Sequence, residues 1–425
     1  MRYRFLRISP VRSFDTIERN APDGLFKQAI LQDSPWHEPR WKIATVMLGG
    51  QPVGVMDPRR QAVAAGASIQ GGEAMARSLG EALERYCAFN YFQCEVPAMR
   101  KVDMEIGYVR CASYENAPKA FKDASTLPAI EHTTAIRLED SHQTFLPYET
   151  QFLGYLKTKE SSLFCSPIST GCAFHTDICN AIYRGILEAL ERDALMRWWH
   201  MGFPSIRRIA EESALSFSVV ERVKRVRSAG LRLYFFEISD WTAYPVVLCL
   251  VQGDAYPYTS VGVSCSADIE HAMAKAMDEA VSIRAVALSH YTEWQDRRFT
   301  DFDWVSSLED HMLLYAHWAR SPIIERLLAL PAEEVWVSDF PVGGGEKIDF
   351  SFLREFAQEL RLEKGGTVYY KDLTLPEVRL YGHAVKVYVP EFIPLSQSMR
   401  VRWLGSLEKE GVESRSINPY PHPFS

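Results

Sequence analysis

Five letters, Glu-Ala-Leu-Glu-Arg, occur twice in this chain, at 81–85 and at 188–192, 107 positions apart. A weaker echo follows at 279–284: Glu279-Ala280-Val281-Ser282-Ile283-Arg284. Glu81 and Glu84 are three residues apart, as are Glu188 and Glu191, which puts each pair on one face of a helix. Residues 181–195 are apolar on most sides and rich in Ala and Leu, so the second pair belongs to a helix that is largely buried. A buried carboxylate costs several kcal/mol unless it is paired, hydrogen-bonded or bound to a cation. Glu81 with Arg85 and Glu188 with Arg192 have the i, i+4 spacing of helix ion pairs, worth only ~0.2–0.5 kcal/mol each. Two readings stand side by side: ordinary surface ion pairing, or a cage of carboxylates drawn from several helices. Oxygen-only ligands select hard cations such as Mg²⁺, which normally arrive with phosphates.

The elements that must hold these glutamates read as strand, small-residue turn, helix. Gly71-Gly72 opens a helix over about 72–92. Phe164–Ala173 reads as a strand breaking into a small-residue turn, with His175-Thr176 as the N-cap of a helix over about 177–201. Tyr256–Val263 reads as a strand, and Ser264-Cys265-Ser266 turns into a helix over about 267–290. Further strands are expected at Trp41–Gly49, Leu231–Ile238, Tyr244–Gln252, Thr367–Lys371 and Ala384–Val389, and helices at Ile206–Ala229 and 351–362. Residues 58–72 read as a loop or weak helix, and 291–350 as a connecting region with a flexible Gly343-Gly344-Gly345. The expected class is α/β, with turns and helix N-termini facing a phosphate-bearing ligand.

With 425 residues and 47% hydrophobic content, the chain buries a large core. Its net charge of −7 excludes a general attraction to nucleic acid or anionic membranes. The basic start, Arg2 to Arg12, has no apolar run behind it, which argues against a signal peptide. The longest apolar run, Val246–Val251, is far too short to span a bilayer. The eight cysteines contain no Cys-x-x-Cys, which fits reduced, mostly buried thiols and a cytoplasmic location. There is no Gly-x-Gly-x-x-Gly after a strand, no Walker lysine and no Gly-x-Ser-x-Gly elbow.

In its motifs the sequence resembles the YcaO family. Ser78-x-x-Glu81-x-x-Glu84-Arg85 matches the family's first motif. Ser169–Ala173 followed by Glu188-x-x-Glu191-Arg192-Asp193-Ala194 matches the second, and Glu279–Arg284 stands at the third. Tyr369–Pro390 resembles the family's final strands. Pro419-x-Pro421-x-Pro423 matches the Pro-x-Pro-x-Pro ending of members that form azolines. The resemblance covers roughly 60–425. It implies an N-terminal segment over 1–60 and, over 61–425, a YcaO-type catalytic domain. That domain is built of repeated strand-turn-helix subdomains around a central ATP and Mg²⁺ site and closes with the proline-rich tail. Three departures stand out. Ser282 replaces the usual glutamine, and Thr176 and Asn180 stand where Asn and Glu are frequent. No clear Gly-Lys-Gly precedes the first helix, Gly66-Ala67-Ser68 being the nearest stretch.

The resemblance implies ATP-dependent cyclodehydration of Cys, Ser or Thr in a ribosomally made precursor peptide. By it, Glu81, Glu84, Glu188 and Glu191 hold Mg²⁺, and Arg284 neutralises phosphate charge. Ser78, Thr176, Asn180 and Ser282 are polar contacts to the nucleotide. Pro419, Pro421 and Pro423 aim the Ser425 carboxylate as a base or orienting group. It also implies a separate leader-peptide-binding partner and a flavin-dependent azoline dehydrogenase acting afterwards; a homodimer is compatible with it. The alternatives are thioamide or amidine formation at the same site, and a non-catalytic scaffold.

Overall fold

Val246–Gln252 carries no charged residue, and its side chains divide between two cores with the two-residue period of a strand. Val246, Leu248 and Leu250 enter one core, and Val247, Cys249 and Val251 enter the other. A strand covered on both faces reads as continuously apolar rather than alternating. The computed structural model describes residues 25–48, 63–90, 98–100, 130–153, 167–239, 241–291, 299–399 and 402–424.

Among the described residues three sheets make up the frame. One is five-stranded, in spatial order Thr259–Cys265 (β11), Val246–Gln252 (β10), Arg232–Glu237 (β9), Arg207–Ile209 (β8) and Glu333–Val335 (β12). Another follows the order Ala98–Arg100 (β4), Ile130–Arg137 (β5), Tyr369–Asp372 (β13), His383–Tyr388 (β14) and Cys172–His175 (β7), with Gln143–Pro147 (β6) also on β5. The third is Phe26–Asp33 (β1), Lys42–Leu48 (β2) and Val63–Ser68 (β3). Among the described residues all pairings are antiparallel except β8 with β12. The boundary expected at residue 60 falls between β2 and β3, which are neighbours in one sheet.

The helices are Gly71–Phe89 (α1), Ile178–His200 (α2), Phe217–Ser228 (α3), Ile269–Ser289 (α4), Leu308–His317 (α5), Pro322–Ala329 (α6) and Phe350–Lys364 (α7), with single turns at Tyr148–Gln151 and Gly405–Lys409. The three glutamate helices α1, α2 and α4 follow β3, β7 and β11, each the end strand of its sheet. Two glycines let helix lie directly on strand. A Cβ on Gly66 would stand 2.3 Å from the Ala74 carbonyl oxygen, and one on Gly262 2.1 Å from that of Ala276.

Several expected elements are corrected. Residues 63–68 form β3 rather than a loop or weak helix, because their small side chains seat α1 against the strand. Around residue 170 the turn precedes the strand, and the N-cap of α2 is Asp177, whose carboxylate accepts from the Asn180 N–H at 2.9 Å. Ile206–Ala229 is not one helix. Arg207 and Arg208 pair with β9, and α3 starts only after Ser216, which caps it. The 291–350 stretch contains α5 and α6; Ser307 and Asp310 form a capping box at the start of α5. Cys172, Cys179, Cys249 and Cys265 are free and buried, as expected, and Cys87 is buried; Cys94, Cys111 and Cys165 lie outside the described residues. Among the described residues no helix is long and apolar enough to cross a membrane.

Candidate functional site

The end strands aim the glutamates. Glu81 lies sixteen residues after Ala65 in β3, and Glu279 sixteen after Val263 in β11. In both cases the strand N–H donates to the carboxylate: Ala65 to Glu81 Oε2 at 3.2 Å, and Val263 to Glu279 Oε2 at 2.6 Å. The Cys265 N–H, two residues along the same edge, donates to Glu191 Oε2 at 3.0 Å. A sheet edge carries a row of unpaired N–H groups; here those groups orient acids instead of another strand.

Arginines from the same phrases lie among the acids. Arg85 is 3.4 Å from Glu81 and 3.7 Å from Glu84, and Arg192 is 3.6 Å from Glu191 and 4.0 Å from Glu188. These separations exceed the 2.7–2.9 Å or so of a charge-assisted hydrogen bond. The Lys386 ammonium donates to the Ile168 and Thr170 carbonyls, both at 2.6 Å, and adds positive charge near Glu84 and Glu188.

Glu84, Glu188 and Glu279 are consequently hard to ionise. Burial pushes Glu84 up to about 8, with Glu188 and Glu81 adding to the rise and Arg85 and Lys386 opposing it. Burial also pushes Glu188 and Glu279 up to about 7, each opposed by Arg192 and reinforced by Glu191. The Cys172 thiol, beside them, is pushed up to about 12, mainly by burial, and stays neutral. Glu84 keeps 14% of its side chain exposed and Glu188 26%, so the cluster is open to solvent on one side.

Five carboxylates face three cations here, while Arg192 Nη1 is buried without a hydrogen-bond partner. The cluster therefore offers acids to a cation and a donor to an anion, and Mg²⁺ with a phosphate fits both. Among the described residues no three His, Cys, Asp or Glu side chains close on a single metal position. Mg²⁺ keeps waters and takes one or two carboxylates together with phosphate oxygens.

The structure thus brings together Glu81, Glu84, Glu188 and Glu191, and adds Glu279, Arg85, Arg192 and Lys386. Glu279 was signalled by the third echo, and the arginines by the phrases themselves. Lys386 was signalled only by a lysine between two valines of a strand, where it is 2% exposed. Thr176 is exposed in the turn before α2, Asn180 donates its side-chain amide to Asp177, and Ser282 is half-buried one turn after Glu279. Two expectations do not match their surroundings. Ser78 is fully buried and donates to the Ala64 carbonyl at 2.9 Å. Arg284 is engaged with Glu38: its guanidinium is buried against that carboxylate, at 2.6 and 2.9 Å, and donates to the Pro257 carbonyl at 2.7 Å.

The C-terminal residues are docked. Proline offers carbonyls but no N–H, and the body of the protein supplies matching donors. Trp199 Nε1 donates to the Tyr420 carbonyl at 3.0 Å, the Tyr315 hydroxyl to Pro421 at 2.5 Å, and His311 Nδ1 to His422 at 2.9 Å. The His311 and His422 rings stack at 3.8 Å, and burial holds His311 down at about 4 and His422 well below its ordinary value. Pro421, Pro423 and Phe424 are buried and Pro419 is exposed. Ser425 lies outside the described residues.

With this geometry in view, comparison with known proteins gives a class. Residues 65–393 match the family described as YcaO cyclodehydratase, ATP- and Mg²⁺-binding. The chain belongs to the YcaO family, whose cofactors are ATP and Mg²⁺. Its fold is similar to a heterocyclase solved in complex with substrate and cofactor (TM-score 0.70, 18% identity, 94% of this chain and 55% of that one). It is also similar to YcaO from Methanopyrus kandleri bound with AMPPCP and Mg²⁺ (0.60, 15%, 90% and 89%). A third likeness is to the E. coli microcin synthetase McbBCD complex with pro-MccB17 bound (0.57, 18%, 86% and 88%). The chain spans about half the length of the first. No curated protein matches it in sequence.

Proposed function

We propose that this chain catalyses ATP-dependent cyclodehydration of Cys, Ser or Thr residues in a ribosomally made precursor peptide. The observation that carries this reading is the convergence of Glu81, Glu84, Glu188, Glu191 and Glu279 from three helices on one open cluster. Those glutamates would hold Mg²⁺ directly or through waters, and Arg85 and the free donor of Arg192 would meet phosphate oxygens. Bound Mg²⁺ neutralises phosphate charge as phosphoryl transfer proceeds. Thr176, Asn180 and Ser282 are proposed polar contacts to the nucleotide. Arg284 and Ser78 act by holding the frame.

In the reaction a substrate side chain adds through its sulfur or oxygen to the preceding carbonyl carbon and gives up its proton. The amide oxygen takes the terminal phosphoryl group of ATP, leaving ADP. The carbon–oxygen bond then breaks, phosphate departs, and the amide nitrogen loses its proton to leave a thiazoline or oxazoline. The docked Pro-x-Pro-x-Pro ending supports ring formation over thioamide or amidine chemistry. A leader-peptide-binding partner and a later flavin-dependent dehydrogenase complete the proposed pathway.

Calorimetric titration with Mg²⁺ and a non-hydrolysable ATP analogue tests the site; Glu188→Gln and Glu191→Gln are expected to lose binding. Mass spectrometry of a precursor peptide treated with the chain, its partner and ATP tests the chemistry. Each ring loses one water, whereas thioamide formation exchanges oxygen for sulfur. Absence of analogue binding by the folded chain with its partner present would leave the scaffold reading.

A further inference from the structure

The seventh residue of each glutamate helix is a cation: Arg77 in α1, Arg184 in α2 and Lys275 in α4. Each stands four residues before the leading glutamate of its helix, Glu81, Glu188 or Glu279. That is the same helix face, about 6 Å nearer the N-terminus. The carboxylate layer therefore has a cationic layer beside it.

The fold brings these three cations together. Arg77 Nη1 crosses from α1 to Asp278 Oδ2 in α4 at 2.6 Å, one turn after Lys275. Gly80 of α1 faces the Phe174 ring of β7, the strand that leads into α2; a Cβ there would lie 3.7 Å from the ring. His271, one turn before Lys275 in α4, is held below its ordinary value by burial and by Lys275, Arg77 and Arg184, with Asp268 opposing. Arg77 is partnered by Asp278 and by the Ala67 carbonyl. Arg184 and Lys275 are exposed, and among the described residues neither has a hydrogen bond or ion pair. Arg184 and Lys275 thus keep their charge uncompensated beside an Arg77 that is paired with Asp278 and lies 3.9 Å from Glu73, and uncompensated cations attract an anion. The partnerless Arg192 Nη1 in the neighbouring layer is a second, independent sign of one.

We propose that Arg184 and Lys275, with Arg77 fixed beside them, bind the phosphate chain of the nucleotide, the role that Arg284 cannot fill while buried on Glu38. This rests on reading the carboxylate cluster as an ATP and Mg²⁺ site. The carboxylate layer takes the metal, and the cationic layer meets the negative charge that the metal leaves uncovered.

The test is equilibrium binding by the full chain, in Mg²⁺, of adenosine, ADP and a non-hydrolysable ATP analogue. The proteins compared are the wild type, Arg184→Ala, Lys275→Ala, the double variant and Arg184→Lys. Both side chains are exposed, so the urea midpoint is expected to stay unchanged. Each alanine is expected to weaken the analogue roughly tenfold, the ratio that one lost charged contact of about 1.4 kcal/mol gives. ADP should weaken less, adenosine should be unmoved, and Arg184→Lys should keep most of the affinity. Wild-type affinity for the analogue in the double variant overturns the proposal; if Glu188→Gln still abolishes binding, the ATP reading survives. An equal loss for adenosine and analogue also overturns it, since that is a structural effect. No binding of the analogue by the wild type, with partner present, overturns both.

Discussion

Asp278 and Glu279 are consecutive residues of α4 with opposite fates. Asp278 is 2% exposed and bonded on both oxygens. Trp41 Nε1 and Arg222 Nε donate to Oδ1 at 2.7 and 2.9 Å, and Arg77 Nη1 and Arg222 Nη2 to Oδ2 at 2.6 and 2.9 Å. Glu279 receives one backbone N–H and shares Arg192 with two other glutamates, and burial pushes it up to about 7. Burial alone does not separate a structural acid from a functional one; the number of donors does. A carboxylate with all its lone pairs engaged ties helices together, whereas one left short of donors is kept ready for a cation.

The largest expected effect tests the closed side of this contrast. Asp278→Ala takes from Arg222, only 4% exposed, its close carboxylate partner and leaves it Glu73 at 3.9 Å; it should cost about 3–5 kcal/mol in urea unfolding. A loss under about 1 kcal/mol would mean that the network is not structural.

Next comes the pH response of the metal-free protein. A carboxyl whose folded value exceeds its unfolded one binds more protons folded than unfolded, so its contribution to stability is full below the unfolded value and is lost as pH rises through the folded one. For Glu188 and Glu279 the window runs from 4.5 to about 7, and for Glu84 from 4.5 to about 8. Stability should fall across that window by an amount on the order of 2 kcal/mol. Saturating Mg²⁺ with the ATP analogue, or Glu84→Gln, should flatten the profile; a profile that rises through the window contradicts the assignment.

The docked ending is satisfied like Asp278, but by neutral groups. Tyr315→Phe removes one donor to the Pro421 carbonyl and should cost about 1 kcal/mol. The smallest stability effect belongs to Glu279→Gln, within about 0.5 kcal/mol of wild type near neutral pH, accompanied by a marked loss of Mg²⁺-dependent nucleotide binding in calorimetry. Large destabilisation by this variant would place Glu279 with Asp278.

What the sequence revealed followed the range of each interaction. Glu81, Glu84, Glu188 and Glu191 were legible because their spacing is local to one helix turn. Glu279 was harder: Ser282 stands where a second glutamate would have completed the phrase. The surroundings of Arg284 were not legible, since Glu38 lies 246 residues away in a loop between β1 and β2. Lys386 likewise meets Glu188 only once β14 pairs with β7. Residues 63–68 misled because alanine favours helices, while here their small size is what admits α1. At 206–229 the pairing of Arg207 and Arg208 with β9 prevailed over local helix preference.

The end strands of two separate sheets, β3 and β11, each lend backbone N–H groups to the same cluster, and β14, from the third, lends Lys386. Partial opening of any one sheet therefore dismantles the cluster. A ligand seated there stabilises only chains in which all three are closed, by an amount that grows with its concentration. Amide hydrogen exchange should accordingly slow together in β2, β10 and β13, strands interior to three different sheets, when Mg²⁺ and nucleotide are added. The ligand would thus convert three independently breathing sheets into one cooperative unit.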